Sequence, residues 1–273
     1  MSIIQAIVLG IVQGITEFLP ISSSGHLVII EDVLGWENPG IFFDVVLHWG
    51  TLIVLLVYFR KEWVRLIKML PDFFRSFSGK AALKTEEFLL TKVLVGIIPA
   101  VIVGFFTADL LEKYFRNLFV VAGWMFLMGI VFIFAESVAK LHKRLAEITL
   151  LDSLIIGVAQ IFALIPGVSR SGVTISAALL RGVRRAIAAK FSFMMGAPLI
   201  FGAGLYSFVR FIQKGVFQES IWFFIAGFLA AVVFSYLAVG FLMRYLRKHS
   251  LFAFAYYLFA VAIVLVVLGI VAL

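Results

Sequence analysis

A carboxylate, three consecutive serines and a histidine fall within ten positions of an otherwise apolar stretch: Glu17, Ser22, Ser23, Ser24 and His26. Far along the chain Arg170 lies between Ser169 and Ser171. Gln13 is four residues before Glu17, so on a helix the two share a face. A carboxylate in an apolar segment is expensive, and its default reading is functional. The bland alternative is a glutamate that snorkels or pairs structurally. His26 is three residues after Ser23, one turn away on a helix. A lone histidine in such a segment is often a packing residue, but this one has Ser and Glu beside it. Arginine keeps its charge when desolvated and offers phosphate oxygens a planar fork. The plainer role for Arg170 is an internal pair with Glu17 that ties two parts of the chain together.

These residues belong to a duplication. Residues 7–26, IVLGIVQGITEFLPISSSGH, recur as 154–173, LIIGVAQIFALIPGVSRSGV. A shift of 147 positions puts Gly10 on Gly157, Gln13 on Gln160, Ser22 on Ser169, Ser24 on Ser171 and Gly25 on Gly172. Pro20 and Pro166 fall one step out of register. The first copy is filled with an acid, the second with a base. That is the pattern of one site built from two halves.

The elements that must position them are set by composition. At 63% hydrophobic and 14% charged, the 273-residue chain lies far outside globular composition. Several apolar stretches reach the ~20 residues that cross a bilayer as a helix. Lipid leaves backbone groups no partners outside helices or closed barrels, so a single all-α polytopic membrane domain over 1–273 is expected. The N-terminus lacks a basic region and a small-residue cleavage site, so it does not read as a removable signal peptide. The chain has no cysteine, which excludes disulfides and thiolate chemistry. The +8 charge is explained by basic loops that orient the chain, and no nucleic-acid partner is expected.

Six segments are long enough to span: 42–59, 92–111, 118–138, 191–211, 221–243 and 251–273. The segments 3–20 with 27–34, and 151–165 with 171–180, form two broken pairs around the duplicated motifs. Pro20 and Pro166 are expected to end the first half-helices. Gly25 and Gly172 would allow the tight turn, and the serines would cap the second half-helices. If both pairs are re-entrant, the loops 60–92, 139–150, 181–190 and 244–248 share a side and hold 18 of the 23 Lys and Arg, against four opposite. The positive-inside rule prefers this arrangement. Both termini then face away from the cytoplasm. Each half, about 1–140 and 150–273, carries one re-entrant pair and three spans, and the second half is inverted. GIIPAVIVGFF at 96–106 also echoes GFLAAVVFSYL at 227–237. The segment 61–90, basic, aromatic and containing Pro71, is expected along the cytoplasmic surface as a short amphipathic helix with a turn.

Both motif tips start half-helices, whose N-termini favour an anion, and Arg170 adds a full charge. Glu17 and Gln13 offer oxygens to a hard divalent cation, Mg²⁺ or Ca²⁺, alongside substrate phosphates. Nucleophile, carboxylate, arginine and metal together suit phosphoryl transfer on a substrate that arrives from lipid. Ser23, activated by Glu17 or His26, is the favoured nucleophile; His26 itself and a metal-bound water stay open. The competing class is a lipid-phosphate transporter or flippase, which would use the same midplane anion site without a nucleophile. An ion channel is disfavoured, because the site mixes both signs of charge.

At these residues the chain resembles a known family. QGITEFLPISSSGH matches the (E/Q)xxxE region of the undecaprenyl-pyrophosphate phosphatases, the bacitracin-resistance family, and PGVSRSGVT at 166–174 matches its PGxSRSxxT signature. FDVVLHWGT at 43–51, the motif order and the duplication extend the resemblance over the whole chain. It implies hydrolysis of the C55 polyprenyl diphosphate to the monophosphate and inorganic phosphate, recycling the carrier of cell-wall synthesis. It also implies a divalent-cation requirement and a cytoplasmic-membrane site open to the outside face. Carried over by position, Gln13 and Glu17 form the acidic-motif pair and metal site, Ser23 and His26 the reactive pair, and Arg170 the phosphate clamp. Ser22, Ser24, Gly25, Ser169, Ser171, Gly172 and Thr174 complete the expected substrate-binding set. Position 13 is Gln where many members have Glu. Prenyl length, metal identity and the choice between monomer and homodimer are left open.

Overall fold

The computed structural model describes residues 1–37, 40–77, 87–115, 117–214 and 220–271. Eleven α-helices fill them: α1 (Ile3–Thr16), α2 (Ser23–Leu34), α3 (Ile41–Tyr58), α4 (Arg60–Phe77), α5 (Glu87–Phe115), α6 (Leu118–Val138), α7 (Leu150–Gln160), α8 (Arg170–Leu180), α9 (Arg185–Lys214), α10 (Ile221–Tyr245) and α11 (Phe252–Val271). Among the described residues the sole extended pairing is one parallel bridge between Lys143 and Val183. The chain is an all-α polytopic membrane protein. Five of these helices are long and apolar enough to cross a membrane: α5, α6, α9, α10 and α11. A sixth candidate is α3, which bends by 82° into α4.

The two duplicated motifs lie between short helices. α1 has 14 residues and α7 has 11, or about 21 and 17 Å at 1.5 Å per residue, too short for a hydrocarbon core of about 30 Å. Each pair folds back on itself: α1 packs on α2 and α7 on α8. In the second pair the entrance and exit meet, because Arg181 Nε donates to Asp152 at 2.7 Å and Lys143 bridges Val183. In the first pair Met1 and Trp36 join one apolar cluster with Phe223 and Phe224. Both pairs therefore return to the end they entered.

The halves are interlocked. α1 packs along α10 of the second half, and α7 along α5 of the first. A Cβ on Gly10 would stand 2.3 Å from the Gly227 carbonyl oxygen, and a Cβ on Gly157 would stand 2.3 Å from that of Gly96. The duplication relates Gly10 to Gly157, and the echo relates Gly96 to Gly227. One helix contact is thus made twice, each time across the halves. Glycine is required because only its absent side chain lets two helix backbones approach so closely.

The four basic loops meet at one end. Lys190 pairs with Glu62 at 2.5 Å, Lys92 donates to the Ala146 carbonyl at 3.0 Å, and Arg185 pairs with Glu136, which also accepts from the Leu251 amide at 2.8 Å. Asp152 is fully buried and receives Lys143 at 2.8 Å and the Thr149 amide at 2.9 Å besides Arg181. Burial pushes its carboxyl up, but these donors outweigh burial and hold it well below the usual carboxylate range.

Within 61–90 the amphipathic helix is α4, which runs through Pro71 to Phe77 and is entered by a sharp bend at Phe59. Residues 78–86 of that segment lie outside the described residues, and 87–90 open α5. One local expectation needs correction: the prolines do not mark the ends of the first half-helices. α1 stops at Thr16, and α7 at Gln160 with a 3₁₀ turn over Ile161–Leu164 before Pro166. Proline has no amide hydrogen to bond four residues back and disfavours helix in the residue before it, so the final turn unwinds ahead of it.

Candidate active site

The tips of the two motifs touch. A Cβ on Gly25 would stand 3.4 Å from Gly167 Cα, and Ser171 Oγ lies 3.5 Å from the Leu19 carbonyl oxygen. Both second half-helices start with a serine cap. Ser22 Oγ accepts from the Gly25 amide at 3.2 Å, and Ser169 Oγ from the Gly172 amide at 3.1 Å. Gly25 and Gly172 are therefore capped positions of the first turn and do not make the bend. The bend is taken by Ser22, at φ 72°, in the first copy and by Gly167, at φ 94°, in the second. Among the described residues Ser22 is the one non-glycine with positive φ, a conformation that costs energy and persists where surroundings enforce it. It directs the Ser22 carbonyl at His26, whose Nδ1 lies 2.8 Å away.

Glu17 is the centre. It follows the last residue of α1 and is 7% exposed. Its Oε1 accepts from Arg170 Nη2 at 2.6 Å. Its Oε2 accepts from Ser23 Oγ at 2.6 Å and from Gln13 Nε2 at 3.0 Å. His48 Nε2 stands 3.6 Å from the same oxygen, beyond hydrogen-bond range. His48 Nδ1 donates to the Asp44 carbonyl at 2.7 Å, which leaves Nε2 facing the carboxylate. One carboxylate thus gathers α1, α2, α3 and α8.

Two buried polar atoms beside it have no hydrogen-bond partner among the described residues: Arg170 Nη1, a donor, and Gln13 Oε1, an acceptor. A Cβ on Gly196 would stand 1.6 Å from Nη1, so the guanidinium occupies the space of an absent side chain on α9. A buried donor and a buried acceptor thus flank the carboxylate with hydrogen-bonding capacity that the described residues do not use.

The other expected residues are placed as follows. Ser24 is exposed, with Oγ 3.4 Å from that of Ser22. Ser169 and Ser171 share a contact of 3.2 Å between hydroxyls. Thr174 is buried one turn into α8; its hydroxyl donates to the Arg170 carbonyl at 2.7 Å and lies 2.6 Å from Ser192 Oγ. It braces the turn that carries Arg170. His26 is not bonded to Ser23: its Nε2 lies 2.7 Å from the Tyr257 hydroxyl on α11. Sequence reasoning missed His48, Tyr257 and Gly196. His48 had a signal, as a histidine in the apolar segment 42–59; the other two had none.

Among the described residues no group of three or more His, Cys, Asp or Glu side chains could hold a metal. The protein offers Glu17 and the unpartnered Gln13 oxygen. That donor set fits a Mg²⁺-like cation, which is held by one or two protein oxygens and completed by substrate phosphates.

The fold and site define an all-α integral membrane protein in which a serine, a carboxylate and an arginine meet between the two copies of one motif. The chain belongs to the family described as bacitracin resistance protein BacA, whose model matches residues 6–264. It is 41% identical to an undecaprenyl-diphosphatase of Rubrobacter xylanophilus over 96% of both chains. It is 40% identical to that of Desulforudis audaxviator over 97% of both, and 41% identical to that of Thermodesulfovibrio yellowstonii over 97% of this chain and 96% of the relative.

Proposed function

We infer that this protein is a membrane phosphatase that hydrolyses undecaprenyl diphosphate to undecaprenyl phosphate and inorganic phosphate, recycling the lipid carrier of cell-wall synthesis and conferring bacitracin resistance. The observation that carries the site assignment is the shared carboxylate: Glu17 holds Ser23 Oγ and Arg170 Nη2 at 2.6 Å each. A hydroxyl, its base and a phosphate clamp meet at one point.

Ser23 Oγ attacks the terminal phosphorus and its proton passes to Glu17 Oε2. The bond to the bridging oxygen breaks, and undecaprenyl phosphate leaves with that oxygen. Water then cleaves the phosphoserine and releases inorganic phosphate. Arg170 moves its fork from Glu17 to the phosphate oxygens, with Nη1 already unpaired. His26 does not attack in this reading, because both its ring nitrogens are engaged; through its bond to the Ser22 carbonyl it braces the turn that carries Ser23. Glu17 and Gln13 would hold a divalent cation, which would offset the diphosphate charge. The serines of the two tips line the phosphate position, while Gly25 and Gly172 keep the caps close-packed.

The site belongs in the cytoplasmic membrane and opens to its outer side, with both termini outside. The 18-to-4 division of basic residues supports this, together with the meeting of the basic loops at one end. The repeat boundaries near 140 and 150 follow from the same arrangement.

The test is release of phosphate from long and short prenyl diphosphates by purified protein, across a series of Mg²⁺ and Ca²⁺ concentrations. Metal-dependent release supports the reading. A protein that only moved lipid phosphate across the bilayer would release none. Tags at Met1 and Leu273 should both be reached from outside intact cells; a cytoplasmic Met1 overturns the orientation.

A further inference from the structure

The helix α11 carries no charged residue, and its polar side chains are Tyr256 and Tyr257. Tyr257 lies 231 positions from His26 in the chain, yet its hydroxyl reaches His26 Nε2 at 2.7 Å. The rings are nearly parallel, at 9° with centroids 5.7 Å apart. The other ring nitrogen faces the Ser22 carbonyl at 2.8 Å. A carbonyl can only accept, so Nδ1 carries the hydrogen. The neutral ring then presents Nε2 as an acceptor, and Tyr257 donates to it.

His26 is therefore gripped at both ends. One grip comes from Ser22, the residue with φ 72°; the other comes from a helix of the opposite half. The tyrosine partner is reversible. If Nε2 gains a proton, the hydroxyl turns and accepts from it at the same position, so the bond survives a change in charge on the imidazole. A purely apolar neighbour could not do this.

We propose that Tyr257 is a positioning residue for the phosphatase reaction: it fixes the ring plane and tautomer of His26 beside Ser23 and keeps the ring in place through protonation. The proposal rests on the phosphatase reading for its kinetic consequence, but not for its spectroscopic one.

The experiment uses the full chain in detergent, carrying Tyr257→Phe, which keeps the ring and removes the hydroxyl. Tyr256→Phe on the neighbouring position is the control. We expect kcat on undecaprenyl diphosphate to fall about 10-fold, the equivalent of one lost hydrogen bond of ~1.4 kcal/mol, with KM within about twofold. The ¹⁵N resonance of His26 Nε2 should move in Tyr257→Phe and stay in place in Tyr256→Phe. Unchanged kcat together with an unmoved Nε2 resonance overturns the proposal. A moved resonance with unchanged kcat also overturns it, since the contact would then be structural. If wild-type protein releases no phosphate, the phosphatase reading fails instead, and the resonance alone decides whether Tyr257 holds His26.

Discussion

The two copies of the motif share a backbone and differ in chemistry. Each has a serine cap onto the glycine three residues on, at 3.2 Å in one and 3.1 Å in the other. Each lays a glycine 2.3 Å from the carbonyl oxygen of a glycine in the opposite half, measured from an added Cβ. In the first copy Gln13 donates to Glu17, which receives Ser23. In the second, the same shift puts Gln160, Leu164 and Arg170 at those places. Gln160 is buried, and neither its side-chain nitrogen nor its oxygen has a hydrogen-bond partner among the described residues. The scaffold is duplicated, but acid and hydroxyl have gone to one copy and the cation to the other. Neither copy alone holds the carboxylate, the Ser23 hydroxyl and the guanidinium, so this cluster exists only where the two copies meet.

Breaking the first copy should have the largest effect. Ser23→Ala is expected to lower phosphate release by on the order of 10³-fold or more while leaving diphosphate binding largely intact, because the clamp remains. Glu17→Gln should lose as much and flatten the metal dependence as well. Retention of more than about a tenth of the wild-type rate in Ser23→Ala, a barrier change under roughly 1.4 kcal/mol, would remove Ser23 as the nucleophile. Phosphate trapped on His26 in quenched reactions would then reassign the role.

The second copy is sharpened by Arg170→Lys, which keeps the charge and loses the fork. Turnover should fall about 10²-fold, the order seen when one transition-state donor is removed. Near-normal turnover in folded protein would reduce Arg170 to a counter-ion of Glu17.

The shared scaffold predicts equal effects. Gly10→Ala and Gly157→Ala must each push two helix backbones apart, at a cost of about 1–3 kcal/mol. Thermal unfolding in detergent should show the two variants losing similar stability. A large loss in one with none in the other would break the equivalence of the contacts.

The smallest effect separates the ends of the two copies. The second is stapled by Asp152 to Lys143 and Arg181, whose side chains are 20% and 36% exposed, so screening limits the value of the staple. Asp152→Asn should cost about 1–2 kcal/mol, more than an exposed pair because the carboxylate is buried and less than a wholly buried one because both cations reach solvent. The carboxyl is held below its ordinary range in the folded chain. Its stabilisation is therefore complete above the unfolded pKa of about 3.8 and fades as pH falls through the folded value. Stability of wild type relative to Asp152→Asn should be flat between about pH 5 and 8. A difference that varies across that range would contradict the assignment.

Much of this was legible in the chain. Apolar length and composition gave the membrane helices, since lipid permits few other solutions for the backbone. The spans at 118–138 and 221–243 agree with α6 and α10 to within two residues. The repeated Ser/Gly motif marked the capped half-helix starts, because a serine cap and its glycine are neighbours in sequence. Glu17, Ser23 and Arg170 could be singled out because a polar residue in an apolar segment is costly. The exact bends were not legible: the first turn falls on Ser22 rather than on a glycine, because the fold enforces a backbone conformation that local preference disfavours. His48, Tyr257 and Gly196 were not legible as a set, since each reaches the site from a different helix. The sequence by itself determined which residue types were available and that one motif occurs twice. The tertiary structure alone decided that one carboxylate would bind both Ser23 and Arg170, and that a tyrosine 231 positions away would hold His26. The reason is physical: periodicity and capping act over a few residues, whereas the meeting of the two copies depends on helix packing over the whole chain.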